Sequence, residues 1–596
     1  MNTYNLKWDL DSLFPGESNS KEFESYVQKT EQFMLQLKDK VEALSFENQE
    51  GDAALLTGVL DILQTVTRRI REIGAFVSCL TAQDVKDIKA KEWLAKRSQL
   101  GADYSNILTK LDEKLVEVGD QHWEGLLQED SLSPVSYVLE ERRKRAKEKL
   151  PADQESLIND LSVDGYHAWG QVYNSIVGKM TISVEGKELS VGQASNKLSS
   201  SNREVRKEAA GKLQEAWEEK SDLFTETLNH LAGFRLQTYK HRGWNNTLKE
   251  PLDINRMNKQ TLHAMWNAIT KYKKYYTKYL SRKADLLGLD KLAIYDVGAP
   301  IGGADQKLSY DEGAAFIIEQ FGKFSPKMAE FAEMAFDKRW IEAEDRPGKR
   351  PGGFCTSFPD SKETRIFMTY SGTPSNVATL AHELGHAYHQ HVMNDLPILN
   401  QGYAMNVAET ASTFAEMIVA DAAVKHAKNE TEKAVLLEDK VQRSVAFFMN
   451  IHARFLFETR FYEERKHGMV PTARLNELMV DAQREAYQEA LGEYDPYFWA
   501  SKLHFHITGV PFYNFPYTFG YLFSLGIYAR SIKEGKEFEN KYIALLQDTG
   551  KMRVEDLAEK HLGVNLEQQE FWEDAMKLCM EDVEEFLKLT AGTTAE

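Results

Sequence analysis

Residues 382–386 read His382-Glu383-Leu384-Gly385-His386. Residues four apart on a helix lie on one face, with Cβ atoms roughly 5–6 Å apart. Two imidazole nitrogens can then reach one Zn²⁺ at about 2.0–2.1 Å. Glu383 follows His382 by ~100° around the helix, which sets it beside the metal, where it can take a proton from metal-bound water. Gly385 removes a side chain at this point, so another backbone or a substrate can come close. Three fixed residues match by chance at about one position in 8,000, so the surroundings must carry the rest of the case.

The residues before the motif predict how its helix begins. An irregular stretch from about Asp345 leads into Thr364-Arg365-Ile366-Phe367-Met368-Thr369-Tyr370, which reads as a strand and ends at Ser371-Gly372. Thr373 is placed to cap the helix and Pro374 to be its first residue. A strand delivered here can serve as an edge against which an extended peptide pairs; the blander reading is a small sheet without a binding role.

A zinc ion that keeps one position open for water needs a third protein ligand. Six residues after His386 stands Val392, not a histidine. His389 shares the face of His382 and His386, but seven residues of helix rise about 10 Å, too far for one ion. His389 is therefore read as packed beside the site, and His391, on the opposite side, as structural. A carboxylate from a second helix remains. Tyr403 to Val424 reads as helix, with Glu409, Ser412 and Glu416 on one face beside Thr413 and Ala420, and Val407, Phe414 and Ile418 on the other. A small-residue face bearing carboxylates suits close packing on the Gly385 side of the motif helix. Glu409 and Glu416 compete as ligand, spacing favours neither, and each is equally readable as a buried ion-pair partner.

A third cluster, His504-Phe505-His506-Ile507-Thr508-Gly509-Val510-Pro511-Phe512-Tyr513-Asn514-Phe515-Pro516-Tyr517-Thr518-Phe519-Gly520-Tyr521, is dense in aromatics and histidine. Tyrosine hydroxyls and histidine N–H groups can donate to the oxyanion of a tetrahedral peptide intermediate. An aromatic core is the alternative for any one of these tyrosines.

The rest of the chain is read as mostly helical. From about Lys21 to Leu150 apolar residues recur at three-to-four spacing. Met180 to Val191 alternates about Glu185-Gly186-Lys187, which predicts a hairpin, and Ser199-Ser200-Ser201-Asn202 supplies capping residues for the next helix. A boundary is expected there, dividing 1–200, a helical N-terminal region, from 201–596, a catalytic domain. The basic run Arg142 to Lys149 is interleaved with Glu140, Glu141 and Glu148, and is read as a solvated helix face.

The 596 residues are 42% apolar and 28% charged, with a formal net charge of −18. That composition supports a substantial core and argues against nucleic acid or anionic lipid as a general partner. Three distant cysteines, Cys79, Cys355 and Cys579, build neither a disulfide framework nor a Cys-x-x-Cys metal site, which fits a reducing compartment. The first residues read as no secretory leader, and no run reaches the ~18 apolar residues of a membrane span. A cytoplasmic protein is expected.

Taken together, the motif helix His382–His391, the segment Asn406-Val407-Ala408-Glu409-Thr410-Ala411-Ser412 and the 504–521 cluster resemble the M3 family of zinc metallopeptidases, in particular the oligoendopeptidase F group. The likeness extends over roughly 200–590. It implies one zinc held by His382, His386 and Glu409, which chooses Glu409 over Glu416, with Glu383 as general base. It implies stabilising groups from the C-terminal cluster: either His504 or His506, with Tyr513 and Tyr517 first among the tyrosines and Tyr521 next. It also implies a mainly α fold of two helical lobes around a deep channel, with a small sheet near the zinc helix, and cleavage of short oligopeptides inside the cell. A zinc exopeptidase of carboxypeptidase type, and a non-catalytic helical peptide-binding protein with a vestigial motif, are the alternative functions.

Overall fold

In a computed structural model, residues 3–47, 51–302, 307–350 and 352–593 are described. The chain is mainly helical, with one two-stranded and one three-stranded sheet among these residues. Three long helices, Lys21–Ala43, Asp52–Gln83 and Ile88–Glu117, pack on one another near the N-terminus. Their periodicity explains the packing. In the first, Phe23, Val27, Thr30, Met34, Leu37 and Val41 are buried, a stripe at three-to-four spacing. Ser20 and Asp87 cap the first and third helices by accepting from Phe23 N and Ala90 N.

The buried apolar residues fall into two clusters. One runs from Trp8 to Leu139 and the other from Tyr173 to Phe586. The three-stranded sheet joins them. Its central strand, Glu363–Phe367, contributes Ile366 to the larger cluster and Phe367 to the N-terminal one. Successive residues of a strand face opposite ways, so one short strand serves both lobes and then hands the chain to the motif helix.

The reading of Thr364–Tyr370 as an edge needs correction. The strand is shorter, Glu363–Phe367, and it is central: Ile341–Glu342 pairs with it in parallel on one side and Phe354–Phe358 antiparallel on the other. The two-residue strand at 341 carries too little pattern to be seen in sequence. The edge nearest the motif is Phe354–Phe358.

Other expectations are met. The hairpin pairs Thr181–Val184 with Lys187–Ser190, and Asn202 caps Arg203–Glu219 by accepting from Glu204 N. The basic run forms part of the helix Ser136–Lys147, but it is not wholly solvated. Arg143 is buried and donates to the Leu115 carbonyl at 2.9 Å and to Asp120 at 2.9 Å, closing the end of the preceding long helix.

The predicted helix Tyr403 to Val424 is broken. Met405–Ala408 forms one turn and Thr410–Lys425 the main helix, with Glu409 between them at φ −85°, ψ 3°. The break turns Glu409 towards the motif helix, Pro374–Met393, which begins as read, with Pro374 first and Thr373 accepting from Asn376 N at 3.2 Å. The two helices touch backbone to backbone. A Cβ built on Gly385 would lie 2.5 Å from the Ala411 carbonyl oxygen and 2.6 Å from Ser412 Cα. A third helix, Phe515–Glu534, closes the other side: a Cβ on Gly520 would lie 2.8 Å from the Asn406 carbonyl oxygen and 3.1 Å from Glu409 Cβ.

Gly385→Ala is expected to destabilise by about 1–3 kcal/mol, the usual cost of forcing an extra methyl into a packed contact. Gly211→Ala, on a helix face where the methyl meets open space, is expected to be neutral or slightly stabilising. Calorimetric unfolding midpoints compare the two; equal shifts would contradict the close contact.

Candidate metal centre

His382 and His386 project from the motif helix and Glu409 from the break. His382 Nε2 lies 3.2 Å from Glu409 Oε2, and His386 Nε2 lies 3.5 Å from the same oxygen. One ligand atom from each of the three falls within 4.8 Å of the others, and all three residues are half-buried. Two donors each about 2.0–2.1 Å from a tetrahedral ion sit about 3.3 Å apart. The observed spacings match that requirement, and two imidazoles with one carboxylate are a zinc donor set that leaves a position open.

Glu416 is not in this group but stands directly behind it. Its Oε2 lies 3.1 Å from His382 Nδ1, the ring nitrogen facing away from Glu409. Its other oxygen accepts from Arg443. The two glutamates that sequence spacing could not separate therefore hold opposite nitrogens of one ring. A carboxylate on Nδ1 fixes the tautomer that presents Nε2 forwards. Ser412 holds Glu409 in turn, donating to Oε2 at 2.7 Å. Arg443 was not singled out in the sequence: it lies on a different helix, Glu430–Val445, and nothing local marks it.

The electrostatics follow from these contacts. Burial works against a charge on His382, but its bonds to Glu409 and Glu416 outweigh it and hold the imidazolium up to about 10. Burial also opposes the charge on Glu409, yet His382 and His386 pull its carboxyl down to about 2. His386 is driven by burial down to about 4, so it is neutral near pH 7. Burial raises Glu383 to about 7 against the pull of His382, with Glu409 and Glu416 adding to the rise. Glu383 Oε2 is buried without a protein hydrogen-bond partner. An orphaned carboxylate oxygen beside a His–His–Glu group is what a metal-bound water would satisfy. The residues present thus fit zinc.

Gly353, just before the edge strand, lies against this carboxylate: a Cβ there would be 3.6 Å from Glu383 Oε1. The peptide-edge reading therefore moves from the central strand to Phe354–Phe358.

The C-terminal cluster divides. Tyr517 is one turn before Gly520 on the helix that packs on Glu409, and its hydroxyl is raised by burial, by a bond to Tyr513 and by the charge of Glu409. Tyr513 and Tyr517 have ring centroids 5.8 Å apart, and His504 and Tyr513 5.3 Å apart. His504, Tyr513 and Tyr517 thus form a continuous row ending near Glu409. His506 does not join it. It is buried, stacked on Tyr173 at 3.8 Å and 15°, and belongs to the core. Tyr521 is buried too, bonded to Ser444 Oγ at 2.9 Å and stacked on Phe447. His389 bonds Thr549 Oγ1 at 2.8 Å and stacks on Tyr403, and His391 packs on Phe331.

Sequence reasoning also missed what holds His504 in place. The Tyr166 hydroxyl donates to the Thr508 carbonyl at 3.0 Å, and the Tyr173 hydroxyl to the Ala500 carbonyl at 2.7 Å. His167 Nδ1 meets Thr508 Oγ1 at 2.7 Å. Residues more than 300 positions upstream therefore clamp the segment 500–508 at both ends.

Comparison with known proteins gives the family. Residues 197–578 match peptidase family M3 and residues 114–182 match oligopeptidase F. The chain belongs to peptidase family M3, and so is a hydrolase acting on peptide bonds. It is similar to an oligoendopeptidase F homolog of Lactococcus lactis, 23% identical over 98% of both chains. It is also similar to oligopeptidase PepF of Bacillus subtilis, 22% identical over 98% of this chain and 87% of the relative. Among solved structures, oligoendopeptidase-F from Enterococcus faecium superposes with a TM-score of 0.69 at 18% identity, over 95% of this chain and 99% of that one.

The charge on His382 sets a proton count. A metal ligand must be a neutral imidazole. Metal-free protein near pH 7 carries a proton on His382, held up to about 10, and none on His386. Zinc uptake at pH 7 is therefore expected to release about one proton, and affinity to fall as the medium becomes more acidic. Calorimetric titration of zinc into metal-free protein, in buffers of different ionisation enthalpy, reads this directly; a buffer-independent heat would contradict it.

Proposed function

We propose that the chain is a zinc-dependent endopeptidase of short oligopeptides, with zinc held by His382, His386 and Glu409. The observation that carries the reading is the single Glu409 oxygen lying 3.2 and 3.5 Å from two histidines, beside the unpartnered Glu383 Oε2. Zinc in such a site supplies Lewis acidity to the scissile carbonyl and acidity to a water.

The chain's own residues do the rest. Glu383, at about 7, accepts a proton from the attacking water through Oε2 and returns it to the leaving amine. Glu416, anchored by Arg443, keeps His382 Nε2 forwards. The Tyr513 and Tyr517 hydroxyls and His504 donate to the carbonyl oxygen as it gains negative charge. His504 is brought down to about 4 by burial and by the nearby Arg454 and Lys502 charges, so it donates as a neutral ring. An extended substrate pairs along Phe354–Phe358, which brings its backbone past Glu383.

Residues 1–200 hold and flank the site, and 201–596 carry its chemistry; the clamp from Tyr166 and Tyr173 supports that division of work. The names borne by the Lactococcus and Bacillus relatives support internal cleavage of oligopeptides. Among the described residues no helix is long and apolar enough to cross a membrane, and the three cysteines are free, which supports a cytoplasmic location.

Glu383→Gln is expected to lower kcat on a quenched peptide by about 10²- to 10⁴-fold while the protein still binds one zinc. Near-normal turnover with zinc bound would overturn the mechanism. Peptides blocked at both ends are expected to be cut internally; cleavage confined to a free terminus would favour the exopeptidase instead.

A further inference from the structure

Behind His504 stand two cations whose charges help keep its ring neutral and which have no carboxylate partner of their own. Arg454, on the helix Ile451–Arg465, donates to Asn450 Oδ1 at 2.9 Å, to Asn514 Oδ1 at 3.0 Å and towards His504 Nδ1 at 3.5 Å. Lys502 precedes the turn that carries His504. Both cations lie on one aromatic ring: the Phe498 centroid is 5.3 Å from the Arg454 guanidinium carbon and 4.7 Å from Lys502 Nζ. Among the described residues neither is paired with a carboxylate within 4 Å. The acid that acts on Lys502, Asp495, does so from further away and already accepts the Tyr497 N–H.

This is an unusual arrangement for a half-buried pair. In a chain with 91 acidic and 73 basic residues, acids to neutralise two cations are plentiful, and half-buried charges are normally answered by one. Instead burial drives Arg454 down to about 10, and burial and the Arg454 charge drive Lys502 down to about 8. Room for a partner adjoins Lys502 and Phe498. Phe498 and Lys502 line a cavity of about 500 Å³, whose wall also includes Trp217, Tyr295, Tyr487 and Tyr494. Glu493 and Asp495 lie on that wall as well, so among the described residues Lys502 is the only cation on that wall besides Lys207 to which an incoming carboxylate can turn.

We propose that Arg454 and Lys502, both beside the Phe498 ring, form a subsite for a peptide carboxylate. The carboxylate is either the substrate's chain terminus or an Asp or Glu side chain. The proposal rests on the peptidase reading above and adds a specificity element to it. The row His504, Tyr513, Tyr517 separates the cations from Glu409 by two ring contacts, 5.3 and 5.8 Å. The row alone takes an extended chain about three to four residues at ~3.3 Å each, and the reach from Arg454 to His504, 3.5 Å, adds to it. The subsite would therefore select peptides whose carboxylate lies at least about four residues from the scissile bond.

Three quenched peptides of one core sequence, each made with about four, five and six residues beyond the cut, test this: a free C-terminal acid, its amide, and the amide with Glu at the last position. The wild type is expected to favour the free acid, the Glu peptide or both over the plain amide by about 10- to 100-fold in kcat/KM, mostly through KM, as for a charge-assisted pair. Which of the two is favoured identifies the source. Lys502→Gln is expected to bring the ratio near one; because the ratio compares acid and amide peptides within the same variant, a loss of turnover common to both, through His504, cancels. Arg454→Lys should keep part of the preference and Arg454→Gln lose it. Equal use of all three peptides by the wild type at every length, or a ratio unchanged in both Gln variants, would overturn the subsite. The peptidase reading fails separately, if no peptide shows chelator-sensitive cleavage. Isothermal titration with the acid and amide forms of the product-side peptide then still decides the subsite, which requires tighter binding of the acid.

Discussion

Everything at the candidate site depends on one close approach, the backbone of Ala411 and Ser412 lying against Gly385. A side chain at position 385 would hold the two helices apart by the width of a methyl or more. With none, the break at Glu409 is pressed against the face that bears His382 and His386, and one oxygen can stand within 3.5 Å of both. Gly520 repeats the device on the opposite side, so Glu409 is held between two backbones. Precision of this kind is cheap in glycine and costly in long side chains, which would have to be immobilised to the same tolerance. The buried charges are arranged to match. Glu409, His382, Glu416 and Arg443 alternate in sign along one line of contacts, so that each ionised group has an opposite neighbour and the desolvation cost of the row is offset.

Much of this was readable in the residues and some was not, for identifiable physical reasons. The motif helix was legible in its cap, its first proline and its two histidines one turn apart, because all of these are local signals. The helix carrying Glu409 was legible as a helix, but its break was not: neither Gly nor Pro marks position 409, and the residue that packs closely there, Gly520, lies more than 100 positions on. Glu409 and Glu416 were indistinguishable in sequence because both do touch His382, one at each nitrogen. His504 and His506 were indistinguishable for the opposite reason. Their difference is set by Tyr173, a residue more than 300 positions away that stacks on one and not the other. The sheet order was lost because its third strand is two residues long.

The central strand next to the motif helix faces both cores, and the segment bearing His504 is clamped by Tyr166, His167 and Tyr173 from far upstream in the chain. A shift of those upstream helices would therefore carry His504 with it while leaving the His382–His386–Glu409 group on its own three helices. The His382–His386–Glu409 group and His504 are thus mounted on different parts of the fold, and under the proposed mechanism one can be perturbed without the other.

The most direct test of the site is X-ray absorption at the zinc edge on the protein as isolated. The expected spectrum shows two imidazole nitrogens together with oxygen donors at about 2.0–2.1 Å and no sulfur. A sulfur shell near 2.3 Å, or a spectrum without paired imidazole scattering, would contradict a centre built from His382, His386 and Glu409.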